Sequence, residues 1–275
     1  MEDFMKTWFI TGTSKGFGRI WAETALQRGD QVAATARNVD TLSELNNKYG
    51  NKVLTLELNV NNKAAVSSAV EQAYDKFGRL DVVVNNAGYG QFGAIEELSE
   101  QEVRDQIETN LFGALWVTQA VLPILRKQKS GHILQVSSIG GVTAFAGIGM
   151  YHASKWGLEG FSQALSQEVR DLGIKVTLIE PVGYSTDWGG PSAKHAKTIP
   201  TYDKIREARE SMRGRNKPGV PEATGPVILK LVDMEKPPLR IFFGRAANGR
   251  IHAEYEKRLN EWDKYNDLSI EAHGE

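Results

Sequence analysis

Short runs of adjacent apolar residues recur along the chain, at TWFIT (7–11), QVAATA (31–36), KVLTLEL (52–58), LDVVVNN (80–86), HILQVSS (132–138) and KVTLIEP (175–181). Segments of helical length separate them. The first, FGRIWAETALQRGD (17–30), repeats its apolar positions with the helical period. Runs that are apolar at consecutive positions suit strands covered on both faces, and their alternation with helices predicts successive βαβ units. LRIFFG (239–244) offers a seventh strand. The expected architecture is a doubly wound α/β fold, with a mainly parallel seven-stranded sheet between two helical layers, formed by residues 1–275 as a single domain.

Two stretches leave this alternation. Residues 183–217 contain Gly189, Gly190, Pro191 and Pro200 and no apolar run, so they are expected to be a strandless excursion after the sixth strand, suited to a lid. Residues 248–264 place Ile251, Tyr255, Leu259 and Trp262 at helical spacing and predict an amphipathic helix, after which the last dozen residues are polar and expected to be loose.

Composition narrows the function. The chain has 275 residues, 41% hydrophobic and 24% charged, with a formal charge of −1, and so lacks the basic excess that nucleic acid or an anionic membrane requires. Its most basic run, KIREARESMRGRNK (204–217), interleaves acids and reads as a solvated helix face. With no cysteine there is no disulfide, thiolate metal site or Cys nucleophile. The five histidines, at 132, 152, 195, 252 and 273, do not fall at metal-ligand spacing, so no metal is expected. No apolar run is long enough for a signal or a membrane span, which suits a cytoplasmic protein with a small-molecule partner.

The first strand runs into TGTSKGFG (11–18), with Gly12, Gly16 and Gly18 at a strand-to-helix turn. Such a turn lets backbone N–H groups and a helix N-terminus approach a pyrophosphate, here with Ser14, Lys15 and Phe17 along it. The same residues also fit G-x-S-x-G, a serine-hydrolase elbow at Ser14. That alternative needs a later acid and histidine, and only His195, His252 and His273 lie far downstream. At the end of the second strand, where an acid would bind the adenosine ribose, the chain reads Ala36-Arg37. A cation there, with Lys15, favours a 2′-phosphate and hence NADP(H). In YHASK, Tyr151 and Lys155 stand four residues apart on one helix face.

Taken together, TGTSKGFG, NNAG (85–88), Asn110, SSIGG (137–141) and YHASK resemble the short-chain dehydrogenase/reductase family over residues 6–244. The wording is most similar to its NADP-preferring hydroxysteroid and retinol dehydrogenase-like branch. The resemblance implies a Rossmann fold, a homodimer or homotetramer, and a carbonyl reductase or alcohol dehydrogenase. By it Tyr151 is the acid/base, Lys155 its partner, Ser138 the donor to the carbonyl oxygen and Asn110 the support of a water relay. Cofactor contacts then fall to Asn59, Val60, Asn86, Ala87, Gly88, Pro181, Gly183 and Thr186, as well as to the Gly-rich turn, Arg37, Tyr151 and Lys155. Lys155, together with the positive ring of the oxidised cofactor, is expected to lower the phenol from its ordinary pKa of about 10 by ~3 pH units. One departure is clear: Pro181-Val182-Gly183 stands where the family reads Pro-Gly. Val142, Phe145, Tyr184 and Trp188 are candidates for an apolar substrate pocket. A non-catalytic NADP(H) sensor on the same fold is the other alternative.

Overall fold

The computed structural model describes residues 5–190, 192–212, 217–245 and 247–274. Pro191 and, within the basic run, residues 213–216 of the expected excursion lie outside the described residues.

Strands form at all seven apolar runs: β1 (Thr7–Ile10), β2 (Gln31–Ala36), β3 (Val53–Glu57), β4 (Val82–Asn85), β6 (Gly131–Val136), β7 (Ile174–Pro181) and β9 (Arg240–Phe243), with short β5 (Gln91–Phe92) and β8 (Lys194–His195) between them. The large sheet has the order β3-β2-β1-β4-β6-β7-β9, and every pairing in it is parallel. Strand alternation sorts its side chains into two cores. Trp8, Ile10, Val82, Val84, Leu134 and Val136 face one side, packed with Trp21, Ala25, Ile228 and Leu231. Phe9, Val83, Ile133 and Val176 face the other, with Val66, Val70, Val117, Val121 and Leu165. Both faces being covered, every second residue is apolar in both registers, which explains the unbroken apolar runs.

The helices are α1 (Gly16–Arg28), α2 (Ser43–Tyr49), α3 (Lys63–Phe77), α4 (Glu100–Ile107), α5 (Gly113–Gln128), α6 (Gly149–Glu168), α7 (Asp203–Met212), α8 (Thr224–Asp233), α9 (Ala247–Lys264) and α10 (Asn266–His273). Their ends follow local chemistry. Asn62 caps α3 by accepting from Ala65 N at 3.0 Å, and Gly78, at φ 74°, ends it in the left-handed region. No helix among the described residues is long and apolar enough to cross a membrane, and no cluster of potential metal ligands occurs among them.

The chain moves outward from β1 to β2 and β3, then returns to place β4 on the other side of β1. This reversal opens a crevice beyond the carboxyl ends of β1 and β4, where open α/β sheets bind ligands.

Three features differ from expectation. The excursion after β7 is not strandless, since Lys194–His195 pairs in parallel with Gln91–Phe92. Its ladder rests on backbone bonds such as Lys194 N to Gly90 O at 3.0 Å, and two residues are too few to show a period. The last dozen residues are not loose throughout, because α10 occupies Asn266–His273. The apolar stripe of α9 is present but open to solvent at Tyr255, Leu259 and Trp262.

Candidate active site

The Gly-rich turn leaves β1 at Ile10 and enters α1 at Gly16. Gly12 and Gly16 both take left-handed φ, 71° and 59°. A Cβ at Gly18 would lie 2.3 Å from Gly12 O, so the turn closes only with glycine there. A Cβ on Gly16 would meet nothing within 4 Å, so its outer side is an open cradle. The first turn of α1 has no acidic residue, and Lys15 at its N-cap makes no side-chain cap bond. Its first N–H groups are therefore available to an anion. Asn86 braces the turn from the end of β4, donating through Nδ2 to Thr11 O at 2.9 Å and Gly12 O at 3.0 Å. Thr11 Oγ1 accepts from the backbone N–H of Asn86 and of Ala87, each at 3.0 Å.

Arg37 is exposed immediately beyond buried Ala36 at the end of β2. Tyr89 follows β4, and burial raises its phenol to about 12, reinforced by Asp105 and Glu102 and opposed by Arg37. Asn59 is exposed and holds its own turn by accepting from Asn61 N at 3.2 Å. Val60 is buried against α5, where a Cβ on Gly113 would approach its Cγ2 to 2.6 Å.

The four residues of the expected acid/base group come together at the carboxyl edge of the sheet. Tyr151 and Lys155 lie on α6, and both are buried. Lys155 Nζ donates to Val136 O at 2.8 Å, which ties it to the end of β6, and stands 5.9 Å from the Tyr151 ring centre. Ser138, two residues past β6, accepts from Gly140 N at 3.0 Å and offers its hydroxyl to the Tyr151 phenol. Asn110 sits in a π-helical turn, Glu108–Phe112, between α4 and α5. Its amide clamps Tyr89 by accepting from Tyr89 N at 3.1 Å and donating to Tyr89 O at 2.9 Å. It also reaches Ser154 Oγ at 3.3 Å, and Ser154 donates to Tyr151 O at 2.7 Å. A Cβ on Gly88 would sit 3.0 Å from Asn110 Oδ1 and 3.8 Å from Lys155 Nζ, so the absence of a side chain keeps this corner open. Π-turns of this kind are frequent at functional sites.

Burial dominates the electrostatics. It pushes the Tyr151 phenol up to about 12 against the opposing effect of Ser138, and brings the Lys155 ammonium down to about 8 against the opposing effect of Glu159. Lys155 directs its hydrogen bond to Val136 O, and burial is the larger effect on the phenol.

An apolar cluster covers the phenol. Phe92, Ile148 and Tyr151 pack with Phe145, Trp188 and Ala193. The Trp188 ring lies 4.8 Å from that of Tyr151 and 5.5 Å from that of Phe92. A Cβ on Gly90 would meet Trp188 at 2.8 Å, so Gly90 makes its seat. The segment after β7 therefore lies over the Tyr151 phenol, anchored by Glu97, which accepts from Ile199 N at 2.7 Å and pairs with Arg206.

The family of short chain dehydrogenases matches residues 6–197 of this chain. The chain belongs to that family. Oxidoreductase BOA17 of Botryotinia fuckeliana is 43% identical over 96% of this chain and 98% of its own. A short-chain dehydrogenase from Streptomyces avermitilis superposes with a TM-score of 0.92 at 35% identity, covering 99% of this chain and 100% of its own. An alcohol dehydrogenase from Thermococcus sibiricus, solved with 5-hydroxy-NADP, gives a TM-score of 0.74 at 27% identity over 89% of this chain and 98% of its own.

For a short-chain dehydrogenase the departure at Val182 is locally absorbed. Val182 N bonds Phe243 O at 2.8 Å, continuing the β7–β9 ladder, and Gly183 takes the left-handed turn at φ 58° with open space around it. Thr186 N closes on Tyr184 O at 2.9 Å. Of the four pocket candidates, Phe145 and Trp188 join Tyr151. Val142 is buried in the neighbouring loop. Tyr184 packs instead on Phe17 of α1, ring centres 5.0 Å apart, beside the Gly-rich turn. Ser14 is exposed on that turn, while His195 stacks on Phe92.

Sequence reasoning missed Phe92, Gly90 and His152. His152 stands inside YHASK, where attention goes to Tyr151 and Lys155. It accepts from Phe145 N through Nε2 and bonds Gly140 O through Nδ1, both at 2.9 Å. Its ring is thus a strut beneath the loop that carries Phe145, neutral because burial lowers its proton affinity. The one signal available was a histidine facing the Gly-Gly of SSIGG.

Proposed function

We propose that this protein is an NADP(H)-dependent oxidoreductase that interconverts a ketone or aldehyde with its alcohol. The observation that carries this reading is a proton-bearing Tyr151, buried between the Ser138 hydroxyl and an apolar, aromatic-walled cluster, with Lys155 behind it. The cofactor fits the chain's own features: the open Gly16 cradle and uncapped α1 receive a pyrophosphate, Arg37 and Lys15 a 2′-phosphate, and Gly88 leaves room beside Lys155. Pro181, Gly183 and Thr186 border the same crevice beyond β7. When bound, NADPH supplies the hydride.

The rest of the work falls to side chains. Ser138 orients the carbonyl oxygen toward the phenol. Tyr151, raised by burial, holds its proton for that oxygen in reduction, and in the reverse direction takes a proton from the alcohol. Lys155 favours the phenolate electrostatically, and Asn110 fixes the Tyr89 segment and α6 so that the group keeps its geometry. Trp188, Phe145 and Phe92 exclude water and favour apolar substrates. The protein works as a single catalytic domain and a cytoplasmic homo-oligomer.

The test is NADPH oxidation against a panel of ketones and aldehydes, run with the parent and with Tyr151→Phe. Turnover confined to the parent supports the reading. A panel without turnover, or a Tyr151→Phe variant as active as the parent, refutes it.

A further inference from the structure

Beyond the Tyr151–Lys155 pair, α6 continues to Glu159, one turn past Lys155 on the same face. Glu159 is buried, and its Oε2 accepts from Arg240 Nε at 2.9 Å. Glu180, on β7, is wholly buried and stands 3.7 Å from the same Nε. Two carboxyl groups therefore share one guanidinium, which is within hydrogen-bond distance of Glu159 only. Both oxygens of Glu180 and Oε1 of Glu159 have no donor among the described residues. Two ionised acids in such a place would set like charges side by side with three unsatisfied oxygens. One proton on Glu180, donated toward Glu159, removes that repulsion and gives both acids a partner.

The charged groups facing the pair are Lys155 on α6, on which the field of Glu159 acts, and Arg240 on β9. Neutral side chains also lie against the pair. Gln163 accepts from Arg240 Nη2 at 2.8 Å, Ser162 lies three residues beyond Glu159, and a Cβ on Gly141 would touch both Ser137 Oγ, at 2.6 Å, and Glu159 Cγ, at 3.0 Å. The charge left on Glu159 thus has two cations to serve, one on each side.

We propose that Glu159 and Glu180 hold one proton between them, and that the single negative charge remaining at Glu159 is the counter-ion that keeps Lys155 an ammonium beside the Tyr151 phenol. Glu159 is a positioning residue that acts through Lys155, and Glu180 is its proton-bearing partner. The catalytic half rests on the acid/base reading given under Proposed function; the proton-sharing half does not.

Infrared spectroscopy of the cofactor-free protein at pH 7 tests the shared proton, because an un-ionised carboxyl has a C=O stretch that carboxylates lack. The parent shows a buried-acid band, and Glu180→Gln abolishes it. A spectrum unchanged by Glu180→Gln overturns the shared proton. The counter-ion role is read by NMR with lysines labelled at Cε, the Lys155 signal being assigned by its loss in Lys155→Met. Glu159→Gln lowers the Lys155 titration midpoint by about one pH unit or more, and Glu180→Gln, which preserves the charge at Glu159, lowers it by less. A midpoint unmoved in Glu159→Gln overturns the role. Should that variant fail to fold, Glu159→Asp, which withdraws the charge by one methylene, must move the midpoint in the same direction. Neither readout needs turnover, so a protein inactive on every carbonyl compound would refute the functional reading and leave this proposal to be decided by its own spectra.

Discussion

Tyr151 carries a proton that burial makes hard to remove, and this sets what the ligand-free site is ready to do. With the phenol held up to about 12, its acid form dominates at neutral pH, which is the form that reduction consumes. General acid catalysis is worth roughly 10²–10⁴-fold, so Tyr151→Phe should lower kcat by that factor. The affinity for NADPH, followed by fluorescence titration, should stay within about twofold, because the ring still packs on Trp188. Loss of binding along with turnover would mean that the ring supports the fold rather than the proton. Arg37 gives a second test at this scale. A hydrogen bond to a charged group contributes about 1.5–3 kcal/mol, and solvent exposure puts Arg37 at the low end of that range. Arg37→Ala should therefore weaken NADPH binding about tenfold, leave NADH nearly untouched and flatten the salt dependence for NADPH. Equal losses for both cofactors would remove Arg37 from the 2′-phosphate site.

Elements differ in how visibly the sequence encodes them, and the difference is physical. The strands were legible because the inner ones are buried on both faces and so must be apolar at consecutive positions, as with Trp8, Phe9 and Ile10, while the edge strands β3 and β9 keep partly exposed apolar runs. The Gly-rich turn was legible because Gly12 and Gly18 have no substitute in their backbone geometry. The β5–β8 ladder was not, since two backbone-paired residues carry no period. Nor was the placement of Tyr184, which depends on how the turn at Gly183 aims the chain toward Phe17. The segment that follows shows the same dependence on long-range contacts. Ile199 and Arg206 are fixed by Glu97, about a hundred residues earlier, whose carboxyl is held below its usual range by the N–H groups of Ile199 and Ala94 and by Arg206. Glu97→Ala should release this anchor. Hydrogen exchange around residues 197–206 should accelerate, and KM for the carbonyl substrate should rise several-fold while NADPH affinity holds. Exchange as slow as in the parent would show that the segment is held by the aromatic cluster alone.

Over the whole molecule, buried ionisable groups shape how stability responds to pH. His132 and Glu180 act with opposite sign. His132 Nε2 bonds Thr177 Oγ1 at 2.9 Å, and because that hydroxyl donates to Pro238 O at 2.7 Å, the ring must be the donor through Nε2–H. Its Nδ1 is buried without a partner among the described residues, so protonation there would strand an N–H near Lys175, and burial, with Lys175, lowers the ring from 6.5 to about 3. The folded protein refuses a proton that the unfolded chain accepts. The contribution of His132 is complete above about 6.5 and is lost as pH falls toward 3. Glu180 is raised from 4.5 to about 8, first by burial and then by Glu159, so the folded protein keeps a proton that the unfolded chain releases. Its contribution is complete below about 4.5 and is lost as pH rises toward 8. Between about 4.5 and 6.5 the slope of Glu180 is opposed by His132 and by His152, whose proton affinity burial also lowers, so stability should not fall. From 6.5 to 8 Glu180 acts without that opposition. Above 8 the depressed Lys155 reverses the slope, since its folded-state penalty is relieved as the unfolded chain also loses its proton on the way to 10.5. Calorimetric Tm should therefore pass through a minimum near pH 8. At about 1.4 kcal/mol per pH unit and about 2–4 °C per kcal/mol, it should lie roughly 4 °C or more below the value at pH 6.5. Glu180→Gln, which fixes the neutral form, should erase most of that fall while leaving the acid limb to His132 and the surface carboxylates. A parent Tm that stays level from pH 6.5 to 8 would show that Glu180 is already ionised in the folded protein.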